Sequence, residues 1–259
     1  MSTTQIKPRD LGGIIEETFK VYASNFLPLI AIAAIVEIPL LLIGLLVGPI
    51  TSAEDPGYWD AGKVGLAMLG VIVISVFSFI LYPLEQGAFI HAILEQYTNR
   101  QIDIIKSYAF ALRRIINLLG ASLLALVACA AMFITVIGIP LAIYFGVRWA
   151  FILQAVILEG KEPMAALSRS SYLVKNSWWR VFGIIIVMLL IGAVISVTLQ
   201  FTIGFIPLLG DYLVAILVAP IVITCSTILY YDLVFRKEGP AVELMPEEPD
   251  QDLAPPSQL

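Results

Sequence analysis

The chain has one histidine and two cysteines in 259 residues, and only 14% of its residues are charged. A lone His91 cannot build a histidine-based metal site, and no Cys/His ligand spacing occurs, so no metal ligand can be named. Cys129 and Cys225 both fall inside apolar runs, where a thiol packs as a small hydrophobe, so neither a disulfide nor a redox role is expected. There is no G-x-x-x-x-G-K-[ST] loop and no H-E-x-x-H helix, and Ser168, Ser170 and Ser171 lie outside any G-x-S-x-G setting. Residues 1–25 are broken up by Lys7, Arg9, Asp10, Glu16, Glu17 and Lys20, which leaves no apolar core for a signal peptide. These absences disfavour a hydrolase or a nucleotide-driven pump. No catalytic residue and no cofactor are expected.

What the sequence does have is apolar length. Hydrophobic residues make up 59% of the chain and mean hydropathy is +0.93, against roughly 45–50% apolar residues in ordinary soluble domains. Several runs exceed the ~18 apolar residues that mark a membrane-crossing helix. The expected fold is therefore all-α: a polytopic membrane protein of six transmembrane helices with short interfacial helices between them. The net charge of -5 is misleading, because six of the 20 acids lie between Glu238 and Leu259 with no Lys or Arg among them. The rest of the chain is nearly neutral, so a nucleic-acid partner is not implied.

The spans are expected at about 26–47, 64–94, 115–137, 141–158, 181–205 and 212–235, forming one transmembrane domain over 1–237. Residues 238–259 are acidic and proline-rich with little to bury, so a disordered tail is expected. Before span one, Asp10 can cap an amphipathic helix with Ile14, Ile15, Phe19 and Tyr22 on one face, expected flat in the interface. The loop after span one carries Glu54, Asp55, Tyr58, Trp59 and Asp60. Span two is longer than a bilayer needs, which calls for tilt, a kink at Pro83 or a helical extension beyond the membrane. A second amphipathic segment follows, with Ile102, Ile105, Ala109 and Leu112 on one face. Gly138-Ile139-Pro140 is so short a link that spans three and four must form a tight hairpin.

Of the 15 Lys and Arg, 13 lie at the N-terminus, after spans two and four, or just after span six; only Lys63 and Arg148 do not. By the positive-inside rule this places both termini in the cytoplasm of a cell (inner) membrane protein. An internal repeat is also visible. Phe19/Phe26, Tyr108/Ile115 and Tyr172/Trp179 share one spacing, and GAFIHAILEQ resembles WAFILQAVILEG. Three copies of an interfacial helix plus a hairpin, or chance likeness among apolar runs, would both give this.

Three charges fall inside spans. On a straight-helix count Arg148 lies ~16 Å from the end of span four at Glu159, Glu85 ~15 Å from Glu95, and Glu37 ~18 Å beyond Asn25. All three would sit near one plane. An unpaired Arg at mid-bilayer costs at least ~2.5–3.5 kcal/mol, so Arg148 is expected to face the interior and pair with Glu37, Glu85 or both. That cluster either fixes helix packing, or forms a polar pocket for a proton, an ion or an anion. His91 is expected as a satisfied histidine near Gln154 or the loops. Gln86, Gln154, Gln200 and Asn117 are expected as interhelical hydrogen-bonding groups, Asp232 and Arg236 as a local pair, and Tyr230 and Tyr231 at the interface.

The segment 161–180 is basic and aromatic. Lys161, Arg169, Lys175 and Arg180 suit anionic lipid headgroups or a partner protein, and Tyr172, Trp178 and Trp179 suit the interface. Within it, AALSRSSYLVKNSWWRVFGI, preceded by Arg148-Trp149 and LEGKEP, resembles the glycerophosphoryl diester phosphodiesterase membrane domain family and related membrane families of unknown function. LGGIIEETFKVYASNFLPLI and TILYYDLVFRKEG resemble the same family's two ends. In some relatives such a domain is joined to a soluble phosphodiesterase domain that carries paired histidines and acidic metal ligands, and this chain has no such domain. The enzymatic name therefore does not carry over: the resemblance implies a six-span integral membrane protein and says little about activity. The expected function is a non-catalytic integral membrane protein with a scaffolding, regulatory or membrane-homeostasis role. The alternative is a small transporter or lipid-handling protein built on Glu37, Glu85 and Arg148.

Overall fold

The computed structural model describes residues 9–51, 61–98, 100–134, 138–203 and 209–239. The loop carrying Glu54, Asp55, Tyr58, Trp59 and Asp60, the side chain of Lys63 and the tail from 240 onward lie outside the described residues. Among those described there are ten helices and no strand. They are α1 (Leu11–Ser24), α2 (Phe26–Thr51), α3 (Ala61–Tyr97), α4 (Ile104–Arg113), α5 (Ile115–Phe133), α6 (Gly138–Arg148), α7 (Ile152–Glu159), α8 (Pro163–Val174), α9 (Trp178–Ile203) and α10 (Leu209–Glu238). Six stretches are long and apolar enough to cross a bilayer: Phe26–Val47, Val64–Tyr97, Ile115–Phe133, Gly138–Glu159, Trp178–Thr202 and Leu209–Glu238. The protein is an all-α, multi-pass membrane protein.

Local chemistry explains the short helices. Asp10 opens α1 by accepting the N–H of Gly13 at 2.9 Å, and Asp103 opens α4 by accepting that of Lys106 at 3.1 Å. The Lys106 backbone N–H holds the Asp103 carboxyl below its usual range. Pro163 starts α8, where a missing N–H costs nothing, and Gly160 ends α7 in the left-handed region at φ 65°.

The three short amphipathic helices occupy equivalent places. α1 packs along α10, α4 along α3, and α8 along α7. Each is followed, after a one- to three-residue break, by the next span. Eight residues before those spans begin stand Thr18, Ser107 and Ser170, and all three are fully buried. The threefold repeat is thus present in the packing. Its third copy aligns Ser171 with Trp178, one residue away from the Tyr172/Trp179 register expected from sequence.

Span four needs correction: it is two helices, because Trp149, Ala150 and Phe151 form a turn between α6 and α7. The helix of span two continues through Pro83: α3 runs for 37 residues, or ~55 Å at 1.5 Å per residue, well beyond a ~30 Å hydrocarbon core, so it tilts or extends past it. α1 buries Ile14, Thr18 and Val21 and packs along α10. On α4 the apolar face is turned outward, with Ile105 82% and Leu112 58% exposed, while Ser107 and Ala111 face the core. Lipid is as apolar as leucine, so large side chains gain nothing by turning inward, and small residues allow close helix contact.

The core lies where the ends of α3, α7 and α10 meet, filled by Phe89, Ile93, Phe151, Ile157, Leu229 and Tyr230. Gly87 makes that approach possible. A Cβ there would lie 3.0 Å from Ala111 Cβ, 3.0 Å from a Leu118 methyl and 3.2 Å from an Ile157 methyl. Gly87→Val should therefore overpack the junction of α3, α4, α5 and α7 and cost roughly 1–3 kcal/mol. Gly146→Ala, with nothing within 4 Å of the new methyl, should be neutral by comparison. Thermal unfolding of the two variants in detergent micelles checks this pair.

Candidate functional site

The three intramembrane charges do not form one cluster. Glu37 on α2 and Glu85 on α3 are each 2% exposed and lie within electrostatic reach of one another. Each has a carboxyl oxygen, Glu37 Oε2 and Glu85 Oε1, buried without a hydrogen-bond partner. Arg148 pairs with neither; among the described residues no ion pair joins it to a carboxylate. The expected Arg–Glu pairing fails because span four breaks immediately after Arg148, so a straight-helix depth count does not apply to it.

Tyrosines surround the carboxyl pair. Tyr82 lies within reach of both glutamates, Tyr108 of Glu85, and Tyr212 of Glu37. Tyr108 donates its hydroxyl to the Ile32 carbonyl at 2.7 Å, and Tyr212 donates to the Leu40 carbonyl at 3.1 Å. Both bonds clamp α2 on either side of Glu37 along its length, and they commit the phenolic protons elsewhere. Burial, with a contribution from Glu85, pushes the Tyr108 phenol above its ordinary value. The carboxyl pair thus keeps two buried oxygens without a hydrogen-bond donor.

Arg148 lies under aromatic rings instead. Its guanidinium donates to the Tyr144 hydroxyl at 3.4 Å and sits 5.6 Å from that ring and 5.9 Å from the ring of Phe145. Its Nε is buried without a partner. Below it, Ser170 mends the helix break, donating to the Arg148 carbonyl at 2.7 Å and accepting the Phe151 N–H at 3.1 Å. Sequence reading set this serine aside because it lacked a catalytic setting. Its place eight residues before a span start, shared with Thr18 and Ser107, was the signal that could have found it.

The basic segment divides in two. Arg169 is consumed internally: its guanidinium meets Glu159 at 2.7 Å and forms a two-pronged pair with Glu238, and Tyr230 donates to the same Glu159 oxygen at 2.5 Å. Hydrogen bonding to Glu238, opposed in part by burial, raises the Arg169 guanidinium further above its usual range. Arg180 pairs with Asp232 at 2.7 Å and donates to the Arg9 carbonyl. Both arginines expected to suit anionic headgroups are thus engaged by carboxylates of the protein itself. Lys175 and Trp179 remain exposed, while Lys161 and Trp178 are half-buried.

The other polar expectations are mixed. His91 is satisfied, by Ser107 Oγ at 3.2 Å and by stacking on Phe110. Gln154 bonds Ser226 at 3.0 Å between helices, Gln200 bonds Asp211 at 3.1 Å, and Asp232 pairs with Arg236 at 2.9 Å. Gln86 lines a cavity of about 270 Å³ with Gln154 and Ser226. Tyr230 and Tyr231 are buried, 0% and 2% exposed, and so do not sit at an interface. No cluster of metal-ligating side chains occurs among the described residues.

Ser170→Ala should leave the Phe151 N–H and the Arg148 carbonyl unpaired in a dry setting and cost roughly 1–3 kcal/mol. Ser168→Ala, at an exposed position on the same helix, should cost almost nothing. Thermal unfolding with hydrogen exchange at residues 148–152 would show whether the loss is local to the break.

No curated protein and no solved structure gives a significant match to the chain. A family model does match, and it covers Arg148, the Ser170 bridge and Asp232 while leaving Glu37 and Glu85 outside. Over residues 126–235 the chain is similar to the membrane domain of glycerophosphoryl diester phosphodiesterase.

Proposed function

We propose that this chain is a non-catalytic integral membrane protein that takes up and passes a proton at Glu37 and Glu85. One observation carries the reading: two buried carboxyls in mutual reach, each with an unpartnered oxygen, and no cationic side chain paired with them among the described residues. Two such groups in a low-dielectric site cannot both hold bare charge, and sharing a proton satisfies them. Ionisable residues placed in this way within spans mark ion and proton paths in membrane proteins. Tyr82, Tyr108 and Tyr212 lie within electrostatic reach of the pair.

A scaffolding role is the second reading, and what favours it is the exposed remainder of the basic segment. Lys175 and Trp179, the latter 78% exposed, stand free for anionic headgroups or another membrane protein. We also place the loop-rich basic end in the cytoplasm, on the positive-inside rule. A reporter fused after Lys237 should then be active only if it works in the cytoplasm.

The proton reading is tested by reconstituting the protein in vesicles that enclose a pH dye and imposing a potassium diffusion potential. Wild-type vesicles should acidify or alkalinise faster than empty ones, and Glu85→Gln or Glu37→Gln should slow this roughly tenfold or more, the rate cost of losing a ~1.4 kcal/mol contribution. The neutral isosteres should not lower the unfolding temperature, since each removes a carboxyl that lacks a buried partner. Equal flux in wild type and both variants would sink the proposal. Flux that followed sodium and ignored pH would replace the proton with a cation at the same residues.

A further inference from the structure

A second unbalanced charge lies away from the carboxyl pair. Arg169, Arg180 and Arg236 each meet a carboxylate, at 2.7, 2.7 and 2.9 Å. Arg148, within a span, meets none among the described residues, and its Nε is buried and unpartnered. A guanidinium cannot shed its proton, and no carboxylate among the described residues balances it.

Beside it is a groove of about 420 Å³ lined by Pro140, Ile143, Tyr144, Trp178 and Trp179. Tyr144 connects the two, since its hydroxyl accepts from Arg148 while its ring forms one wall of the groove. The walls are fixed from behind. Trp178 donates its indole N–H to the Tyr144 carbonyl at 3.1 Å and stacks on Phe182 with ring centroids 5.0 Å apart. Trp178 is also the first residue of α9, and tryptophans at span ends sit at headgroup depth.

We propose that Arg148 and this groove bind one membrane phospholipid, the guanidinium holding the phosphodiester while glycerol and the start of an acyl chain lie against the aromatic wall. Arginine presents paired N–H donors that fit two phosphate oxygens, and such charge-assisted bonds are about twice as strong as neutral ones. A free phosphate would meet the same guanidinium but gain nothing from the apolar groove. A lipid uses both. This site is independent of Glu37 and Glu85.

The test is lipid retention. Protein purified in detergent and returned to nanodiscs of phosphatidylglycerol and phosphatidylcholine is re-extracted, and native mass spectrometry counts the phospholipid still bound. Wild type should keep one phospholipid, and Arg148→Gln should weaken retention roughly tenfold, equivalent to about 1.4 kcal/mol. Arg148→Lys should keep part of it, and Trp179→Ala should lower it without a change in charge. Glu85→Gln should leave retention unchanged. Retention by Arg148→Gln equal to wild type overturns the proposal. So does displacement of the lipid by millimolar inorganic phosphate, which would make the ligand a free anion. Should Arg148→Gln fail to fold, a phospholipid with a photoactivatable tail, added to wild type, settles the matter. Labelling concentrated on residues 140–144 and 178–179 supports the site, and labelling spread evenly over lipid-facing helices overturns it.

Discussion

Hydrocarbon offers no water to a broken helix, so every place where this chain leaves one helix for the next must supply its own hydrogen-bond partners. Three breaks separate the short helices α1, α4 and α8 from the spans that follow, and a fourth splits span four. At the last of these Ser170 takes both roles that water would have filled, bonding the carbonyl of Arg148 and the N–H of Phe151. The segments that lead into α4 and α1 are held by acids near the ends of α3 and α10. Glu95 accepts the N–H of Asp103 at 2.9 Å, and Asp232 accepts that of Arg9 at 2.7 Å. Arg114 completes the set by donating to the Val156 and Ile157 carbonyls at the C-terminal end of α7, where a cation also meets the negative end of the helix dipole. Satisfying the backbone is what draws each short helix back along a span.

That requirement explains why one end of the protein is dense and the other open. The short helices crowd against the ends of α3, α7 and α10, and there the acids that receive backbone N–H groups also gather arginines. Asp232 holds both Arg180 and Arg236, and Glu159 holds Arg169 and Tyr230. Such buried pairs add little net stability, because desolvation offsets much of their attraction. Their effect is on arrangement. Arg9 from the start of the chain and Arg236 from the end of span six are fixed to the same carboxylate neighbourhood, so the first and last helices cannot slide. Nothing comparable ties the far halves of α3 and α5, whose leucines and valines face outward. In a bilayer, lipid covers them.

Membrane class and span positions were legible in the sequence because they depend on quantities that add along the chain, apolar length and charge count. Six spans follow from that alone, with ends within a few residues of those observed. Breaks, faces and partners depend on single residues and were not legible in the same way. Trp149-Ala150-Phe151 contains no proline or glycine, so the split in span four carried no local mark; its cause, Ser170, lies two helices away. The grouping of Ile105, Ala109 and Leu112 on one face of α4 was legible, but which way that face turns was not, because the surrounding solvent is itself apolar. The seven-residue spacings did carry the repeat, with one copy out by a residue. For the candidate site, Glu37 and Glu85 do lie within reach of one another, and Arg148 was joined to them by a count that assumed a straight helix.

The separation of these charges matters more than their number. An Arg148–glutamate pair would have been neutral and self-sufficient, and would have argued for a packing role only. Apart, they leave two sites of opposite sign, each short of a counter-charge and each next to a different environment. The carboxyls are buried between α2 and α3, within reach of three tyrosines. The guanidinium sits next to an aromatic groove, linked to it through Tyr144. Similarity to the phosphodiesterase membrane domain covers the guanidinium and its groove and stops short of both glutamates. The two features therefore lie on different parts of one chain: the guanidinium falls within the matched residues, and the carboxyl pair precedes them on α2 and α3.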